Sequence, residues 1–253
     1  MSLLVAIVFV LLSPGPTVEL KYKSEKDVTL RDESTRVIKL RGFSGARIVK
    51  HHLERVRVFD RTVVELDSEG RSIRERITVV KSVRRVVESP TEKAHEKNTA
   101  SHGLSFVWKK RGKSWRLYDE SGDVTKKFPT LVESLSNWRS ARLPKDSVAV
   151  GDSWKVTAAD FLRSASQAVP EGVTGECTFT LRALEGGIAN IAFAFTSTWK
   201  DGSREITGTQ EGTWLFDVRA GRDREFKMKG MLIVNKGKAG DGNLEMTRTV
   251  TRR

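Results

Sequence analysis

Cys177-Thr178-Phe179-Thr180-Leu181-Arg182-Ala183 decides the fold class. In an extended chain successive Cβ atoms point to opposite faces. Cys177, Phe179, Leu181 and Ala183 therefore share one face, and Thr178, Thr180 and Arg182 the other. One apolar and one polar face is the pattern of an antiparallel strand buried on a single side. The same period continues outward. Ile191, Phe193 and Phe195 alternate with Ala192, Ala194 and Thr196, and Trp214, Phe216 and Val218 follow the rule, as do Phe226, Met228, Leu232 and Val234. Glycine marks the joints where hairpins need it, at Asp201-Gly202, Ala220-Gly221 and within 236–243. Earlier runs at 47–58, 62–66 and 73–87 read alike, with Asp67-Ser68-Glu69-Gly70 as a turn.

One hairpin carries a register. A loop of Lys110-Arg111-Gly112-Lys113 pairs Trp108 with Trp115 and Phe106 with Leu117, placing all four on one face. Two short helices interrupt the strands. Over 129–142, Leu131, Leu135 and Trp138 keep helical spacing between Pro129 and Pro144. Over 157–167, Thr157 with Asp160 caps a stripe of Phe161, Leu162 and Ala165. The polar stretch 90–103 has no apolar anchor and reads as an exposed loop. The expectation is a mainly β protein: long antiparallel strands in a curved sheet or half barrel, as one body or two β-rich halves, with two short helices packed on it. The segments are 1–16, a leader; 17–142, a basic half ending in a helix; and 143–253, a half with one short helix and a final meander.

A chain of 253 residues, 38% of them hydrophobic, can bury a core without staples. Its 11 Phe and 6 Trp exclude full disorder, and one cysteine excludes a disulfide framework or a Cys-rich zinc module. The net charge of +13 is uneven: residues 1–142 hold 29 Lys and Arg against 18 Asp and Glu, whereas 143–253 hold 16 against 14. A basic surface of that kind attracts anionic polymers or lipid headgroups. Residues 3–12, LLVAIVFVLL, are uncharged and as a helix reach about 15 Å, half of a bilayer core, so they suit a signal peptide better than a span. The expected location is periplasmic or extracellular, with no transmembrane span once the leader is removed. Cys177, alone and in an alternating strand, reads as a packed, inert thiol.

Chemical motifs are sparse. The sequence holds no metalloprotease helix, phosphate loop, dinucleotide fingerprint or nucleophile elbow; Gly42-Phe43-Ser44-Gly45 falls one residue short of the last. His51 and His52 would point to opposite strand faces, and His95 and His102 lie in the polar stretch, so no metal site, cofactor or catalytic residue is assigned. Two candidate surfaces remain. Lys109, Lys110, Arg111 and Lys113, between two tryptophans, would contact an anion. The register argument uses both rings in the core, which weighs against nucleic acid. Phe193, Phe195, Trp214 and Phe216 would line an apolar cavity in a carrier, or simply fill the core. Arg74, Arg76, Arg84 and Arg85 read as a solvated strand face.

Leu143-Pro144-Lys145-Asp146-Ser147-Val148-Ala149-Val150-Gly151-Asp152-Ser153-Trp154 resembles the L-P-x-x-x-V-x-V-G-D-x-W signature of bacterial exported β-rich proteins of unknown function. Gly212 to Asp217 and then Gly221 are similar to the carboxy-terminal hairpin of that family. The resemblance implies a curved sheet distantly similar to the half barrels of periplasmic lipoprotein carriers, and no established activity. As chemistry, Pro144 stops a helix, Val148 and Val150 share a strand face, Gly151-Asp152 turns the chain and Trp154 anchors the next element. The leading functional expectation is a non-catalytic binding or envelope-associated module, carrying a hydrophobic ligand such as a lipid. Its rivals are a surface protein docking on an anionic envelope polymer through the basic half, and an enzyme without a recognisable motif. The oligomeric state is left open.

Overall fold

The computed structural model describes residues 17–44, 47–87, 95–112, 114–135, 138–165, 169–235 and 240–253. The leader at 1–16 and Lys113 lie outside the described residues. The strands are β1 (Thr29–Ser44), β2 (Arg47–Leu66), β3 (Ser72–Val87), β4 (His95–Asn98), β5 (Ser105–Arg111), β6 (Ser114–Asp119), β7 (Gly122–Asp123), β8 (Ser153–Thr157), β9 (Thr174–Glu185), β10 (Ile188–Asp201), β11 (Arg204–Asp217), β12 (Arg222–Val234) and β13 (Gly240–Arg252). All belong to one antiparallel sheet in the order β7-β6-β5-β3-β2-β1-β13-β12-β11-β10-β9-β8, with β4 paired to β3 off this path. The sheet is open, and β7 and β8 stand at its two ends. Its hinge is the pairing of the first strand with the last: β1 and β13 run together from Leu30↔Arg252 to Gly42↔Gly240.

The helix α2 (Ala158–Ser164) and the helix α1 (Pro129–Leu135) lie on the same face of this sheet, over opposite ends. Under α2, Phe161 meets Phe195 at 4.4 Å and Phe193 at 5.4 Å between ring centroids, in a core that also holds Phe179, Trp214, Phe216 and Phe226. Under α1, Leu131 and Leu135 join Phe59, Ile77, Val79, Phe106, Trp108 and Leu117. Each fully buried side chain of this size contributes about 1.5–3 kcal/mol, so each end has its own apolar anchor.

Several expectations change. The helix expected over 129–142 is a seven-residue α1 followed by a separate 3-10 turn, Trp138–Arg142. The segment divides because it serves two cores: Leu131 and Leu135 sit in the first, and the fully buried Arg142 sits over Trp214 in the second. The second helix starts as its cap predicts, Thr157 Oγ1 accepting from the Asp160 amide at 3.2 Å, but ends at Ser164, whose hydroxyl donates to the Phe161 carbonyl at 2.8 Å. Within 90–103 the structure places an exposed strand, β4. Its cause is an open edge: β5 pairs only Arg74–Thr78 of β3, and β4 takes Val83–Val86. The hairpin keeps its face but shifts by two residues. Trp108 lies opposite Leu117, Lys110 opposite Trp115 and Arg111 opposite Ser114. The pairing reaches closer to the turn than expected, and Gly112 just beyond Arg111 stands at φ 56°, the left-handed geometry tight hairpins require. The two rings still stack, 5.5 Å apart at 13°. Val148 and Val150 do not share a face either: Val148 is buried and bridged to Val18, whereas Val150 is exposed.

Candidate ligand-binding face

The face that carries both helices is continuous, and the strand registers order it into rows. One row crosses nine strands: Phe179, Phe193, Gly212, Met228, Met246, Arg36, Arg55, Arg84 and Lys97. It is apolar over β9 to β13 and cationic over β1 to β4. The next row, two residues along each strand, ends Leu244, Ile38, Leu53, Val86 and His95. On the other side runs Trp214, Phe226, Arg248, Ser34, Arg57 and Ser82. None of these positions is Asp or Glu. Side chains on neighbouring strands stand about 4.8 Å apart, so the four cations form a line about 14 Å long.

Between the two helices the central strands are only partly covered. Leu244 and Met246 are buried and Ile38 packs against the larger core, whereas Leu53, Val86 and Leu232 are half-buried and Leu40 is 40% exposed. Leu40 lies opposite Gly242, where an added Cβ would stand 2.5 Å from its Cδ2 atom. The glycine thus lets this leucine settle flat against the sheet, and an apolar strip runs beside the cationic row.

Elsewhere on this face buried arginines meet carboxylates. Arg248 grips Asp32 through Nε at 2.8 Å and Nη2 at 2.5 Å. Asp223 accepts from the Tyr22 hydroxyl at 2.6 Å and from Trp214 Nε1 at 2.9 Å, and it pairs with Arg142 at 2.7 Å. Arg142 also donates to the Tyr22 hydroxyl at 2.8 Å and lies 4.4 Å from the Trp214 ring centre. Burial, the largest single influence, would lower the Arg142 guanidinium; Asp223 and Tyr22 together outweigh it and hold the group above its ordinary value. Arg61 pairs with Glu75 at 2.5 Å. The opposite face is paired too: Arg85 bridges Glu54 and Glu96, and Arg31 holds Asp60.

Arg36 pairs with no carboxylate among the described residues, and its Nε, like the Nε atoms of Arg55, Arg142 and Arg222, is buried with no hydrogen-bond partner. Burial first, and then the neighbouring Arg55 charge, push its guanidinium below the ordinary arginine value. A cavity of about 160 Å³ continues from the next residues of this face, lined by Arg55, Arg57, Ser82, Ser101, Lys127 and the first turn of α1.

The residues singled out from sequence fall elsewhere. Phe193, Phe195, Trp214 and Phe216 are brought together, all at most 4% exposed, and pack on one another and on Phe161. Of the basic hairpin, Lys109 is half-buried and Lys110 and Arg111 are exposed; Lys109 and Lys110 point to opposite faces. Arg84 and Arg85 likewise part, to the helix-bearing and the opposite face. Burial pushes the Cys177 thiol far up from its ordinary value. His102 accepts the Ser82 amide at Nδ1, 3.1 Å, a structural role. No group of three or more His, Cys, Asp or Glu is placed to hold a metal among the described residues, and no described helix is long and apolar enough to cross a membrane. Arg36 and Arg55 were missed because they become neighbours only through the β1–β2 pairing. The available signal was their position on one face of their strands.

No family model matches the chain, and no curated protein is significantly similar to it. Among solved structures, one describing lipid–protein interactions in lipovitellin superposes with a TM-score of 0.54, covering 91% of this chain at 7% identity. The match covers 25% of the lipovitellin chain, so this protein corresponds to about a quarter of it. Pseudomonas aeruginosa OccK5 (OpdH) and OccK8 (OprE) align over 88% and 91% of the chain, and 66% and 72% of their own, at 11% and 9% identity. Their TM-scores of 0.22 and 0.20 carry no argument. What the chain shares with lipovitellin is the fold, a large open antiparallel β-sheet.

Proposed function

We propose that this chain is an exported, non-catalytic binding module that carries a lipid on the helix-bearing face of its sheet. The observation behind this reading is the partly exposed apolar strip of Leu232, Leu40, Leu53 and Val86, joined to the larger core through Ile38 and lying between two buried cores. A sheet whose ends are closed by helices and whose centre leaves apolar side chains half-exposed offers a shelf to an acyl chain. The apolar segment 3–12 and the resemblance of 143–154 support export to the envelope. The fold likeness to lipovitellin, a protein described by its lipid interactions, supports the ligand class.

Purification of the full chain from its native host, followed by native mass spectrometry and lipid extraction, tests both parts. The expected product lacks its leader and retains lipid. An uncleaved, lipid-free product would overturn the proposal.

A further inference from the structure

We infer that the headgroup of the carried lipid is a phosphate whose negative charge no ammonium offsets, held by the row Arg36, Arg55, Arg84 and Lys97, which makes the ligand an anionic phospholipid. The inference rests on the carrier reading above and specifies its ligand. Three observations carry it. The first is the register: Arg36 lies opposite Arg55, Arg55 opposite Arg84, and Arg84 opposite Lys97, all on one face. Like charges directly across a sheet repel, and nothing in strand pairing rewards stacking four of them. An anion between them converts that repulsion into attraction. Neighbouring guanidiniums at strand spacing can share the oxygens of one phosphate, which their planar forks match.

The second is Arg36 itself. Its Nε is buried without an acceptor, as is that of Arg142. Arg142, Arg248 and Arg61 on the same face nevertheless each reach a carboxylate through another or the same nitrogen, and no carboxylate pairs with Arg36 among the described residues. A buried, unmatched donor beside a like charge is a cost that calls for a missing partner. The third is adjacency. The apolar strip begins one step, about 7 Å, from the cationic row. Ile38 and Leu53 lie next to Arg36 and Arg55 along their strands, so headgroup and acyl chain find their surfaces side by side.

Calorimetric titration of the full chain with short-chain, water-soluble lipids decides the matter. Dihexanoyl phosphatidylglycerol is expected to bind roughly ten-fold or more tightly than dihexanoyl phosphatidylcholine, the scale of one charge-assisted contact, with the difference shrinking as salt rises. Arg36→Met and, separately, the exposed Arg84→Gln should each reduce that preference, while Arg85→Gln on the opposite face leaves it unchanged. Melting curves identify an Arg36→Met protein that fails to fold, and Arg84→Gln then carries the test. Equal affinity for the two lipids would overturn the headgroup assignment and leave the carrier reading standing. Binding of neither lipid would overturn both. Inorganic phosphate or octanoate binding as tightly as phosphatidylglycerol would overturn the phospholipid assignment, assigning the row to a free anion or a fatty acid.

Discussion

Asp223 organises the buried charge of the larger core. Its carboxylate takes bonds from Tyr22 and Trp214, pairs with Arg142 at 2.7 Å and stands 3.6 Å from Arg248. Removing one partner of such a set leaves the others charged in a medium that solvates them poorly. Breaking a buried pair this way costs about 3–5 kcal/mol. Asp223→Ala is therefore expected to lower the unfolding free energy by that amount in chemical denaturation; a loss below about 1 kcal/mol, the value of an exposed pair, would refute its central place. None of this was legible in the sequence. Tyr22 and Asp223 are 201 residues apart, and an aspartate at a hairpin start reads as a solvated turn residue until the fold closes over it. Arg36 was hidden for the same reason. Local alternation gives the face of a side chain and is silent on which strand comes to lie beside it.

At the level of elements, alternation was a sound guide to most strands, left β1 at Thr29–Ser44 unread, and was weaker for registers and ends. The β5–β6 hairpin shows why. The shared face of Phe106, Trp108, Trp115 and Leu117 follows from the two-residue period alone, so a shift of two residues preserves it. The turn sets the register, and Gly112 at positive φ closes a shorter loop than the four-residue one expected. Trp115 consequently stacks diagonally on Trp108 at 5.5 Å, with Lys110 directly across from it. Stacking of this kind is worth about 0.5–1.5 kcal/mol beyond the area buried. Trp115→Ala should thus cost at least that much stability, measured by denaturant midpoint, while Trp115→Phe recovers part of it. Equal losses in the two variants would show that the ring contact contributes nothing and that the hairpin tip is held by its backbone. β4 escaped notice for a reason that alternation cannot supply: its four exposed residues carry no apolar signal, and the strand exists because β3 has an edge to fill.

The whole molecule depends on one long-range pairing. β1 is the inner neighbour of β2, and β13 that of β12; their union joins β1 to β7 on one side to β8 to β13 on the other. Each side has its own core, so the β1–β13 ladder keeps two half-sheets from behaving as separate bodies. It also brings Arg248 to Asp32 and sets Met246 beside Arg36, so the network and the apolar-to-cationic row both depend on it. Deleting residues 240–253 would expose the edges of β1 and β12 along most of their lengths and leave Asp32 buried without Arg248. Long unpaired edges invite association with other chains, and two cores without a shared ladder unfold in steps. The truncated chain is expected to elute as larger species in size-exclusion chromatography. Its denaturant transition should be broad, with fluorescence and circular dichroism no longer coincident. A monomeric product with one sharp, coincident transition would show that the halves cohere through the packing of the 3-10 turn against α2 instead. That outcome would place the joint of the molecule above the sheet, on the face proposed to carry the ligand.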